Sequence, residues 1–220
     1  MFWKKVNRGL LLGAALLLFL VGFIVVKEVQ FKKETPLIVE RAESYLSGLC
    51  ELQCGVDGTL GEKLSPQAQS AQKEKFNRLL KENWYGELSG DEYNGIGLSE
   101  LYSDYESYLS DKVQVLFSKA ELHLQEDHIS VYKDGPDRAK VSFSAEIKTE
   151  YMGDGESFFY GSSYYIGYED GIAVPETSAT VYSGVYLLNM TFEMQRVGRE
   201  WKIVAYNGYG YESMSAEKGE

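Results

Sequence analysis

Two cysteines, two histidines and four prolines are all that this chain has of those residues. The shortage of metal ligands argues against a structural zinc centre. Cys50 and Cys54 supply two thiolates where such a site takes four ligands, and nothing in the pattern joins His123 or His128 to them. On a continuous strand, positions five apart face opposite sides, so the two histidines do not converge unless the Glu126-Asp127 segment turns or bulges. The Asp-x-Asp-x-Asp-Gly pattern of a calcium loop is missing, which leaves Asp154 with Glu156, and Glu169 with Asp170, as solvated acidic loops. No internal repeat or heptad run occurs, so neither a solenoid nor a coiled coil is expected.

Basic charge is also short. Lys and Arg number 22 against 33 Asp and Glu; the first 26 residues hold three of the basic residues and none of the acidic ones, which leaves residues 27–220 at a net −14. A field of that sign repels phosphate backbones and anionic headgroups, so no nucleic-acid partner is expected, and its plain use is solubility. Between Gly9 and Val26 charge is absent altogether. Those residues, at ~1.5 Å each, span ~27 Å as a helix, about the thickness of a hydrocarbon core. Lys4, Lys5 and Arg8 ahead of the run place the N-terminus on the cytoplasmic side, although Lys27, Lys32 and Lys33 beyond it weaken the contrast. A cleaved signal peptide opens in the same way, but Phe23 to Glu28 lacks the small-x-small pattern of a cleavage site, so a retained anchor is the expectation. The remainder of the chain then lies outside the cytoplasm, on the outer side of a cell membrane. There Cys50 and Cys54 would form a structural disulfide if the backbone brings their Cα atoms within ~7 Å, with free thiols as the alternative.

Past the apolar run, Lys27 to Glu34 is a charged stalk or a continuation of the helix. Thr35-Pro36 reads as a helix start, a capping hydroxyl followed by a proline in the first turn. Ile38, Ala42, Tyr45 and Leu49 then line one face, and Gly48 to Gly61, with both cysteines and several glycines, reads as a loop. Ser65-Pro66 repeats the start signal for a second helix with Phe76, Leu79, Leu80 and Trp84 on its apolar stripe, closed by Gly86. Leu98, Leu101, Tyr102, Tyr105, Tyr108 and Leu109 mark a third.

From Val113 the period falls to two. Val113, Val115 and Phe117 alternate, and Leu122, Leu124, Ile129 and Val131 suggest one interrupted strand or a bulged pair. Lys133 to Asp137 is a turn by composition. Ala139, Val141, Phe143, Ala145 and Ile147 alternate with polar residues without an error. Tyr151 to Ser178 mixes glycines with aromatics and suggests a short strand, Phe158 to Tyr168, beside a long connection. In Tyr186, Leu188, Met190, Phe192 and Met194 the apolar residues again fall on every second position, so one face is dry and the other wet. Arg196 to Glu200 is a charged turn with Gly198 free to take positive φ, after which Trp201, Ile203 and Ala205 resume the alternation, predicting a hairpin. Asn189-Met190-Thr191 matches the glycosylation triplet but lies in mid-strand.

Three helices followed by four or more antiparallel strands predict an α+β domain with helices packed on one face of a curved sheet. That order, together with the terminal Gly198-Arg199-Glu200-Trp201-Lys202-Ile203 turn and strand, resembles the cone-shaped fold of the nuclear transport factor 2-like superfamily over roughly Thr35 to Gly210. The resulting map is a cytoplasmic tail and anchor at 1–26, a stalk at 27–34, the domain at 35–210 and a disordered tail at 211–220. The resemblance implies either a binding or assembly module, or a small-ligand binder or lyase-like enzyme using the cone interior. Tyr45, Tyr105 and Tyr108 are the candidate cone lining. No acid falls on a dry strand face, since Glu146 and Glu193 occupy wet positions, so catalysis is not expected and no cofactor is implied. Tyr160, Tyr164, Tyr165 and Tyr168 form the candidate partner surface, because Tyr offers large apolar area with a polar tip; aromatic cover for one end of the cone is the alternative. A tail, one span and such a domain is similar to assembly components of bacterial conjugation and type IV secretion machines, which implies a protein partner or self-association.

Overall fold

A computed structural model describes residues 8–54, 62–86, 97–99, 101–103, 105, 117–152 and 181–214. The chain divides into two compact units, Met1–Leu37 and Ile38–Glu220. The first holds the apolar stretch of α1 (Arg8–Cys54), a helix long and apolar enough to cross a membrane, whose apolar window has none of its residues buried. Leu18 and Phe19 are 73% and 71% exposed, which in water would be a standing penalty for every turn of the helix.

Thr35 and Pro36 do not start a new helix. Pro36 lies inside α1, and the Thr35 hydroxyl donates to the Phe31 carbonyl at 3.2 Å instead of capping a free end. The proline removes one backbone bond, to the carbonyl of Lys32, and that residue is exposed where water can replace it. The segment 27–34 is therefore helix, the second of the two alternatives read for it.

In the second unit, Ile38, Ala42, Tyr45 and Leu49 are all buried, as their spacing predicts. The expected loop from Gly48 is helical as far as Cys54. Gly48 serves packing rather than a turn: a Cβ there would run into the Leu79 side chain of α2 (Pro66–Asn83), so the missing side chain lets the two helices approach. Ser65 caps α2 by accepting from the Ala68 N–H at 3.2 Å, with Pro66 at the first position. The helix stops at Asn83, short of Gly86, and Trp84 turns extended (φ −104°, ψ 156°). Side chains meet the orphan carbonyls at both helix ends. Gln72 donates to Leu52 O at the end of α1 at 3.1 Å, while Arg41 and Lys202 both donate to Glu82 O at the end of α2. Of the third helix, residues 98, 99, 101–103 and 105 are described and helical.

The sheet is antiparallel and five-stranded: β1 (Phe117–Leu124), β2 (Ser130–Lys133), β3 (Arg138–Met152), β4 (Val181–Val197) and β5 (Glu200–Met214). Its order is β1-β3-β4-β5, with β2 also on β3. β1 pairs with residues 145–151 of β3 and β2 with 139–142, so they are two parts of one interrupted edge, broken by a 3-10 turn at Glu126–His128. Val113 and Val115 lie outside the described residues, as does the predicted strand from Phe158 to Tyr168. The turn before β3 contains Gly135 at φ 135°, and the β4–β5 turn has Gly198 at φ 65°, both conformations that glycine adopts without a side-chain clash.

Every alternate apolar residue read from β3 and β4 is buried. β5 departs from the expected parity. The register slips between Glu193 and Met194, leaving Val204 as an extra residue opposite their junction, so that Tyr206, and not Ala205, faces the same side as Phe192. Ala205 falls on the other face, yet both it and Val204 are buried, with Tyr85 packed against them. The Tyr85 N–H donates to Ile203 O at 2.9 Å, and Trp84 forms a parallel bridge with Ile203. The strand also runs on to Met214, four residues into the segment expected to be a disordered tail.

The core centres on an aromatic group. Tyr45 meets Trp84 and Phe192 edge-on at 5.6 and 5.9 Å, and Tyr206 meets both of those rings at about 6 Å.

Candidate functional site

The expected site residues separate. Tyr45 is fully buried within the aromatic group. Tyr105 is buried and stacked on Phe76 with ring centroids 3.9 Å apart. Tyr108, Tyr160, Tyr164, Tyr165 and Tyr168 lie outside the described residues. The bridge between Cys50 and Cys54 is not formed. Both are free thiols on α1, and one helical turn keeps Cβ atoms about 5–6 Å apart where a disulfide needs about 3.5–4.5 Å. His123 and His128 are exposed and unconverged. The first reaches Glu121 at 4.0 Å, while the second lies 2.8 Å from Gln125 Oε1 and 3.8 Å from Asp127. Among the described residues no group of three or more His, Cys, Asp or Glu could hold a metal ion.

What the strands bring together instead is a polar hollow on the sheet face opposite the core. It has a volume of about 540 Å³ and is lined by the polar alternates of three strands, with His128 at its edge. The register builds it in rows: Ser142, Thr191 and Asn207 stand opposite one another across β3, β4 and β5, and Ser130 of β2 continues the row beyond the lining. Residues so paired share a face. Ser142 Oγ and Thr191 Oγ1 are 2.8 Å apart, and Ser144 Oγ donates to Asn189 Oδ1 at 2.7 Å. One row along, the Lys140 ammonium donates to Glu193 Oε1 at 3.0 Å and lies 3.6 Å from Asp134. The hydrogen bond and charge of Glu193 hold the Lys140 amine above its ordinary range. At the other end Gln125 donates to Glu146 at 3.2 Å.

These middle positions are half-buried and not fully wet. Sequence reading located them correctly on the outer face but passed over them. The available signal was their chemistry: Ser142, Ser144, Asn189 and Thr191 are small and uncharged, in a chain that elsewhere carries abundant Lys and Glu on its surface.

The structure is an α+β protein behind one N-terminal helix capable of spanning a membrane. No protein-family model matches the chain, and a search of curated proteins finds no significant match.

Proposed function

We propose that this chain is a single-pass membrane protein of the cell envelope, with its N-terminus inside and a domain outside the cytoplasm that acts by binding or assembly and not by catalysis. Its shape is that of the nuclear transport factor 2-like cone, with the helical segments lying over one face of a curved sheet. The observation that carries the reading is the contrast along α1: the apolar window near its N-terminus is wholly unburied, whereas Ile38, Ala42, Tyr45 and Leu49 are buried in a core of their own. An exposed apolar helix of that length is stable when lipid covers it. The basic residues Lys4, Lys5 and Arg8 support the orientation.

Binding is preferred to a lyase-like or isomerase-like activity because of what fills the domain. Phe143, Met190, Phe192 and Trp201 are each at most 5% exposed and occupy the side of the sheet where a cone-interior enzyme would hold its substrate. Among the described residues, no Asp or Glu is buried there to act as a base. A module of this build suits an envelope assembly, with a protein partner or a second copy docking on the domain.

Proteinase K digestion of intact spheroplasts carrying the protein tests the reading. The domain is expected to be degraded without breaching the membrane. A domain that stays protected until detergent is added would place it in the cytoplasm and end the proposal.

A further inference from the structure

We infer that the polar hollow across β3, β4 and β5 is a binding site for an uncharged, polyhydroxylated ligand, a saccharide chain. The inference deepens the binding role above and depends on it only for where the ligand is met.

Size comes first. About 540 Å³ lies within the range of small-ligand sites, roughly 300–1,000 Å³, and corresponds to a few sugar units rather than an ion or a folded partner. Charge is next. The two strong charges in the lining, Lys140 and Glu193, are spent on each other, so the hollow presents almost no net charge in a domain that is otherwise strongly acidic. A carboxylate or phosphate would find its one cation already held by Glu193 and Asp134, and an amine would find its carboxylate held by Lys140.

The hydrogen-bonding inventory then selects the chemistry. In the Ser142–Thr191 contact only one hydroxyl can be the donor, so the other keeps its proton and both keep lone pairs. Asn189 accepts from Ser144 through its oxygen and retains two amide hydrogens, and Asn207 adds an exposed amide at the end of the row. Donors and acceptors thus alternate a few ångströms apart along a shallow surface. A ring of vicinal hydroxyls, each both donor and acceptor, is complementary to that pattern, whereas an apolar ligand would strand every one of these groups. A stacking platform lies beside the hollow, one strand out from its lining. Tyr132 stands opposite Lys140 in the register, on the same face, and is 60% exposed. Its ring offers the flat apolar surface on which the C–H face of a sugar stacks.

The full-length chain in lipid nanodiscs, which avoids sugar-headed detergents, is titrated with uncharged cello-, malto- and chito-oligosaccharides of two to six units while ligand resonances are followed by saturation-transfer NMR. Co-sedimentation with insoluble glycan polymer separates a preference for strands from one for free short sugars. Saturable binding of at least one series is expected. Ser142→Val with Thr191→Val should weaken it about tenfold, the scale of two lost hydrogen bonds, and Tyr132→Ser should weaken it several-fold. Should the double variant lose its near-UV circular dichroism, Tyr132→Ser at an exposed position and Asn189→Ala at a half-buried one carry the comparison. Absence of binding in both arms, or binding that these variants leave unchanged, overturns the inference. A domain found in the cytoplasm would defeat the anchored-module proposal while leaving a positive titration standing, so the two failures are distinguishable.

Discussion

Lys140 shows how little a single surface charge contributes here and how much its position matters. Its side chain is 40% exposed, and its amine faces Glu193, whose side chain is 17% exposed, and Asp134, whose side chain is 54% exposed. Exposed pairs of this kind are worth about 0–1 kcal/mol after side-chain entropy and screening. Because the pair raises the Lys140 pKa in the folded state, its stabilisation is fully present below the unfolded lysine value, about 10.4, and is lost as pH rises through the higher folded value. We therefore expect Lys140→Met to lower stability by no more than about 1 kcal/mol near pH 7, and the difference from the parent to begin shrinking above about pH 10.4 and to vanish only past the higher folded value, followed by thermal unfolding across that range. A difference that grows with pH would mean that Glu193 is not the group responsible. At this scale the sequence could name Lys140 and Glu193 as outward-facing residues, but residues 53 apart in the chain become partners only through the β3–β4 register.

At the scale of elements, the strands were legible because period-two alternation is imposed directly by the pleat. Ala139 to Ile147 and Tyr186 to Met194 needed no tertiary information to be placed on one face. Helix boundaries were less legible, for reasons that differ case by case. Thr35-Pro36 has the composition of a start, yet α1 passes through it because the freed carbonyl of Lys32 reaches solvent and the apolar face continues on the far side. Gly48 has the composition of a break, yet it marks where Leu79 packs against α1. In β5 the alternation read past Ile203 was overtaken by the bulge at Val204, a feature of strand pairing that one strand cannot announce. Gly208 supplies the sharpest test of that pairing. A Cβ there would lie 2.6 Å from Asn189 O and 3.0 Å from Met190 Cα, both backbone atoms with no rotamer to yield. Gly208→Val should accordingly cost about 1–3 kcal/mol, toward the upper end of that range for overpacking, and lower the unfolding midpoint in urea. An unchanged midpoint would show that β4 and β5 are not so closely apposed.

For the whole molecule, the governing fact is that one chain holds two solutions to the hydrophobic effect. Residues after Ile38 bury their apolar side chains against one another, while those of the N-terminal run bury none. The chain should consequently remain with the membrane pellet after alkaline carbonate extraction. A variant with Leu12, Leu16 and Phe19 replaced by Lys should be released, since each charge near the centre of a span costs about 2.5–3.5 kcal/mol. Release of the unaltered chain would show that lipid is not what covers this helix.

By itself the sequence determined whatever depends on neighbours in the chain: the uncharged run, the acidic remainder, the α2 cap at Ser65, the glycine turn at Gly198 and the α+β order of elements. Tertiary structure alone decided what depends on register and packing. It set Tyr45 in an aromatic core, carried Cys50 and Cys54 as free thiols on one helix, and aligned Ser130, Ser142, Thr191 and Asn207 into one polar row. The physical reason is one of range. Periodicity and capping are set by backbone geometry within a few residues, whereas a site made by cross-strand pairing exists only once distant segments have met.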